Sequence, residues 1–185
     1  MLSQYDTYVK KGLKFHKKKN YVQALRYFDT AIQIKNDDSY LCCLKAECLF
    51  RIGKIDEALQ ILEYAIQLDP NNESAYELKG SILLKNRAAD EALNAYKRVI
   101  EINPLNETVL LAIAMIYDDK GMYKEELEIT DRLLKIAPND SNLLNARNEI
   151  LKNIPENRQK QSYCINCGQK LGLEDKFCVN CGTKI

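Results

Sequence analysis

LDPNNE at 68–73, INPLNE at 102–107 and IAPNDS at 136–141 bring a proline round every 34 residues, at Pro70, Pro104 and Pro138. Proline lacks an amide proton and its ring crowds the preceding turn, so each of these segments closes a helix. Recurrence at a fixed period of this length marks stacked supersecondary units, each too small to bury its apolar face alone.

Registering the chain at that period, from Tyr5, Ser39, Glu73 and Glu107, aligns Gly12, Ala46, Gly80 and Ala114 in one column. Small residues there let two helices approach closely. A second column holds Ala24, Ala58, Ala92 and Glu126; a third holds Phe28, Leu62, Tyr96 and Thr130, large in three repeats of the four. Large beside small is how a helical hairpin interdigitates. The breaks KKN at 18–20, IGK at 52–54, NRA at 86–88 and KGM at 120–122 suit tight turns, so each unit is predicted to be helix, turn, helix.

These small, aromatic and proline positions resemble the tetratricopeptide repeat family over about residues 5–138. The resemblance implies an all-α fold, a right-handed superhelical array of helical hairpins. Three repeats match well; in the fourth, Glu126 and Thr130 break two columns while Tyr117, Gly121, Tyr123 and Pro138 keep the frame. Beyond Pro138, NDSNLLNARNEILKN opens on an Asp140/Ser141 N-cap signal and carries Leu143, Leu144, Ile150 and Leu151 at helical spacing, which predicts a terminal capping helix.

The seven cysteines divide into Cys42, Cys43 and Cys48 within a repeat and Cys164, Cys167, Cys178 and Cys181 at the end. The tail cysteines form two Cys-x-x-Cys-Gly units ten residues apart, each fit to wrap two thiolates round one side of a tetrahedral zinc. The intervening residues can run out, turn near Gly172 and Asp175 and return. About 23 residues bury too little to fold alone, whereas zinc contributes about 10–16 kcal/mol in comparable modules, so one structural Zn2+ is expected. Four thiolates leave no open position for hydrolytic chemistry. The tail resembles a small zinc ribbon, which implies a docking or nucleic-acid-contact module. The expected organisation is a repeat array with its capping helix over 1–152, a polar linker over 153–162 and the ribbon over 163–185.

An N-terminus without an apolar leader, and apolar runs far below the ~20 residues of a membrane span, point to a cytoplasmic protein. In that reducing compartment the repeat cysteines read as small buried apolar side chains. The net charge of +1 hides an asymmetry: residues 1–36 carry 8 Lys/Arg against 2 Asp/Glu, and residues 37–152 carry 14 against 21. The run Lys10, Lys11, Lys14, Lys17, Lys18 and Lys19 makes a nucleic acid the alternative partner to a protein segment. His16, the sole histidine, has no identifiable catalytic partner in the sequence and reads as a solvated helix position.

The family resemblance implies a groove lined by the first helix of each repeat, where partner segments bind. Carried onto this register, its inward positions are Lys10, Leu13, Lys17, Cys43, Leu44, Glu47, Leu78, Ser81, Leu111, Ala112 and Met115. Chaperone-docking members hold a carboxylate with a polar clamp. The corresponding residues here, Val9, Leu13, Leu44, Ser74 and Leu78, cannot pair with one, so that activity is rejected. No nucleophile, base and substrate pocket are seen together, and a non-enzymatic scaffold is the expected function.

Overall fold

The computed structural model describes residues 3–155 together with 181 and 184. Among the described residues nine helices follow the 34-residue frame: α1 (Gln4–Lys17), α2 (Tyr21–Ile34), α3 (Ser39–Arg51), α4 (Ile55–Leu68), α5 (Glu73–Lys85), α6 (Ala89–Ile102), α7 (Glu107–Asp119), α8 (Tyr123–Ile136) and α9 (Ser141–Asn153). The chain divides into two compact units, Met1–Val109 and Leu110–Ile185. No described helix is long and apolar enough to cross a membrane.

Odd-numbered helices begin on side-chain caps. Ser3 and Asp6 form a capping box at α1. Asp38, Asn72, Asn106 and Asp140, one column at the 34-residue period, accept from the amides of Leu41 (2.9 Å), Ala75 (3.0 Å), Val109 (3.0 Å) and Leu143 (3.1 Å). Each satisfies an amide that the helix itself leaves unbonded. The hairpin turns are closed by backbone instead. Lys19, Gly53, Arg87 and Gly121 all take positive φ. The next amide then reaches back to the carbonyls of Phe15, Leu49, Leu83 and Tyr117, and the carbonyls ending each helix are satisfied without a side chain.

Within the first unit α2, α4 and α6 pack on α1, α3 and α5, and α2 and α4 also pack on α3 and α5 of the following repeats. The tightest approach is at the predicted small column. A methyl group added at Gly12 would stand 2.4 Å from Phe28, and one at Gly80 would stand 2.6 Å from Tyr96. Ala24, Ala58 and Ala92 are fully buried in the second column, beside buried Phe28, Leu62 and Tyr96. Repeats are joined at their edges by a second recurring device. The first position of one repeat bonds the cap of the next: Tyr5 donates to Asp38, Asn72 to Ser39, and Asn106 to Glu73 (2.7 Å). Lys45–Asp29 (2.8 Å) and Lys79–Glu63 add ion pairs across neighbouring repeats, again in register.

In the second unit, Leu110, Ile113, Ile116, Ile129, Leu133 and Ile150 are buried. The divergent residues Glu126 and Thr130 are buried as well, at 9% and 3% exposure. Among the described residues Glu126 Oε2 has no hydrogen-bond partner. Burial, with Asp118 adding repulsion, pushes this carboxyl above the usual carboxylate range. The final helix, α9, repeats the entry of the earlier odd-numbered helices. It has the same cap column, and its Arg147 Nε bonds Asp131 at 2.6 Å with the same sequence spacing as Lys45–Asp29. Ile150 and Ile154 are buried, whereas Leu144 is exposed.

Two substitutions test this packing. Gly80→Ala forces the Tyr96 ring out of its seat and should destabilise the array by about 1–3 kcal/mol in urea unfolding. An unchanged midpoint would show that the ring yields freely. Glu126→Ala removes a buried carboxyl with an unbonded oxygen and should stabilise the protein by about 1 kcal/mol or more at neutral pH. Because the folded-state pKa lies above the unfolded value near 4.5, the wild type is least penalised below that value and loses stability as pH rises through the raised pKa. The gain from Glu126→Ala should therefore shrink in acid, which paired urea melts at pH 4 and pH 7 will reveal.

Candidate binding groove

Along α1, α3 and α5, residues three and four apart share a face. Lys10, Leu13 and Lys17 form such a set on α1; Tyr40, Cys43, Leu44 and Glu47 do so on α3, and Ser74, Glu77, Leu78 and Ser81 on α5. The α3 and α5 sets face each other across a cavity of about 370 Å³. Five expected groove residues thus come together: Cys43, Leu44, Glu47, Leu78 and Ser81. Lys10, Leu13 and Lys17 stand exposed on α1, outside its walls. Leu111 and Met115 are exposed on α7 in the second unit, with Ala112 half-buried between them. The sequence reading did not place Tyr40 and Glu77 in the groove. Both were reachable by helical spacing, three residues before Cys43 and four before Ser81.

The cavity is lined by apolar and polar groups together, and its carboxylates are held in place. Glu47 Oε2 meets His16 Nε2 at 3.0 Å, and its Oε1 accepts from Arg51 at 3.4 Å. Glu77 accepts from Asn106 at 3.2 Å. His16 is therefore not the solvated side chain expected. It is 22% exposed and stands edge-on to Tyr21, because the α1–α3 junction brings Glu47, 31 residues away in sequence, against it. Burial pushes the thiols of Cys43 and Cys48 up to about 12 and raises that of Cys42, so all three act as neutral packing groups. The lysine run is dispersed by the helix. Lys11 lies over the Tyr8 and Tyr27 rings, away from the Lys10/Leu13/Lys17 face, and Lys19 is taken up in the hairpin turn.

A larger hollow of about 440 Å³ lies among α4, α5 and α6. It is the weaker candidate, because its polar groups already pair with one another: Lys79 with Glu63, and Arg98 with the Tyr76 ring. Of the four tail cysteines, Cys164, Cys167 and Cys178 lie outside the described residues, and Cys181 is exposed. Among the described residues no three His, Cys, Asp or Glu side chains come together as a metal site.

The family model described as tetratricopeptide repeat matches residues 15–82 and 83–150, and the zinc-ribbon domain model matches residues 163–185. No curated protein sequence matches the chain. Several solved structures share the helical array. The MamA fragment from residue 41 to its end, of Desulfovibrio magneticus RS-1, aligns at a TM-score of 0.68 and 16% identity, over 85% of this chain and 95% of that one. YrrB, described as a TPR protein with an unusual peptide-binding site, aligns at 0.63 and 23%, over 78% and 75%. The first TPR of Spaghetti (RPAP3), bound to the HSP90 peptide SRMEEVD, aligns at 0.60 and 22%, over 63% and 92%.

Proposed function

Because the chain belongs to the tetratricopeptide repeat family, we propose that it is a non-enzymatic cytoplasmic scaffold whose groove captures a segment of a partner protein and whose ribbon docks a second surface. The observation that carries this reading is the cavity between α3 and α5. Leu44 and Leu78 stand half-buried in its walls beside polar groups, and concavities lined in this way mark binding sites. The groove as proposed takes in Lys10, Leu13 and Lys17 of α1 with Cys43, Leu44, Glu47, Leu78 and Ser81; Leu111 and Met115, also expected there from the sequence, lie in the second unit. Peptide binding by YrrB and by the Spaghetti domain supports the choice of a protein segment over other ligands.

For the tail, the donor set supports one structural zinc. Cys164, Cys167, Cys178 and Cys181 supply four thiolates, two from each Cys-x-x-Cys unit, and close the tetrahedron that zinc prefers. Such a site contributes folding energy and keeps no position for a substrate.

Leu44→Glu/Leu78→Glu, shown folded by circular dichroism, should lose the proteins that co-purify with the wild type. Replacing Lys18 and Lys19, which lie outside the groove register, with Ala should retain them. Loss in the lysine variant alone, with binding that collapses between low and moderate salt, would replace this reading with a nucleic-acid partner.

Purified under reductant, the protein should carry one zinc per chain by plasma emission. Cys178→Ser should release it and open the tail to protease while helicity stays unchanged. Metal-free wild type would refute the zinc assignment.

A further inference from the structure

The last turns of the helices in the first unit are charged asymmetrically. Groove helices α1, α3 and α5 end on Lys17, Arg51 and Lys85, one residue at the same register position in each repeat. Outer helices α2, α4 and α6 have no basic residue in their last turn. Helix dipoles favour a cation at every C-terminus alike, so they do not account for cations confined to the groove side. The three are exposed, and two are steadied on aromatic rings of the preceding repeat: Arg51 over Tyr21 at 6.0 Å and Lys85 over Phe50 at 5.3 Å. Among the described residues Lys17 and Lys85 have no carboxylate partner, and Arg51 shares Glu47 with His16 at 3.4 Å, near the limit of a hydrogen bond. These positions differ from those of the chaperone-docking clamp.

Resting on the groove reading above, we propose that Lys17, Arg51 and Lys85 form a cationic rail along one lip of the groove. The rail selects an extended partner segment that carries carboxylates at every third residue beside an aliphatic anchor. The spacing follows from geometry. Helices in contact stand about 8–10 Å apart, and a segment in the polyproline II conformation turns once and advances about 9 Å every three residues, so residues three apart span one step of the rail and face the same side. The anchor enters the cavity between Leu44 and Leu78, and the carboxylates meet the rail in a solvent-exposed setting. Each contact adds modest affinity and sets register.

The test selects from a displayed library of random dodecapeptides with the full-length protein, in parallel with Lys17→Glu/Lys85→Glu and with Leu44→Glu/Leu78→Glu. The first variant breaks no ion pair, so its fold should survive. Wild type is expected to enrich aliphatic peptides with Asp or Glu at i, i+3 and i+6. The lysine-reversed variant should bind the selected peptides about tenfold more weakly and turn its own selection toward Lys and Arg. Enrichment of apolar peptides without that acidic spacing would overturn the rail and leave the groove standing. Acidic residues spaced by seven, the mark of a helical ligand, would also overturn it. Enrichment no greater than with Leu44→Glu/Leu78→Glu would remove both readings. A single-stranded oligonucleotide that displaces the selected peptides at moderate salt would assign the rail to phosphate instead.

Discussion

Everything in the array hangs on the approach of an aromatic ring to bare backbone, Phe28 against Gly12 and Tyr96 against Gly80. A side chain of any size at the glycine would part the two helices of the hairpin, and with them the faces that stack on neighbouring repeats. Where alanine replaces glycine, at Ala46, the opposing residue shrinks to Leu62 and the seat is kept. Interiors packed to crystalline density tolerate such compensation and little else. In the fourth repeat Ala114 keeps the small side, but α8 departs at Glu126 and Thr130, and a buried carboxyl with an unbonded oxygen is the result.

The period made most of this visible in advance. Helix starts at Ser39, Glu73 and Glu107 and the four hairpin breaks all fell where the columns put them, because spacing and residue size are properties of the chain alone. Less legible were features that need two repeats at once. His16 looked solvated until the stacking of α1 on α3 supplied Glu47. Lys19 and Arg87 hid two left-handed turns, since in the same column only Gly53 and Gly121 advertise that conformation. Of the eight residues that line the cavity, five stand at inward positions of the sequence register. Leucines at inward positions stand out, whereas Tyr40 and Glu77 became part of the cavity only when α3 and α5 faced each other.

The two faces of the first unit have been put to different uses. Outer helices spend their charges on pairs that hold repeats together, as Asp29 and Glu63 do with the lysines of the following repeat. The first helices of the repeats end on Lys17, Arg51 and Lys85, of which only Arg51 has a carboxylate partner among the described residues. On the groove reading proposed above, stability and recognition fall to different columns of one repeat.

The bonds from Tyr5 to Asp38, Ser39 to Asn72 and Glu73 to Asn106 join the same two columns at successive junctions, with the residue types exchanged freely among them. A joint of that kind does not record which repeat it belongs to. In evolutionary terms the array is open to tandem duplication: a stretch of 34 residues copied from one cap to the next would arrive with a competent junction at both ends. The lineage could thus lengthen or shorten the array by unequal recombination, one hairpin at a time, without having to reinvent the fold.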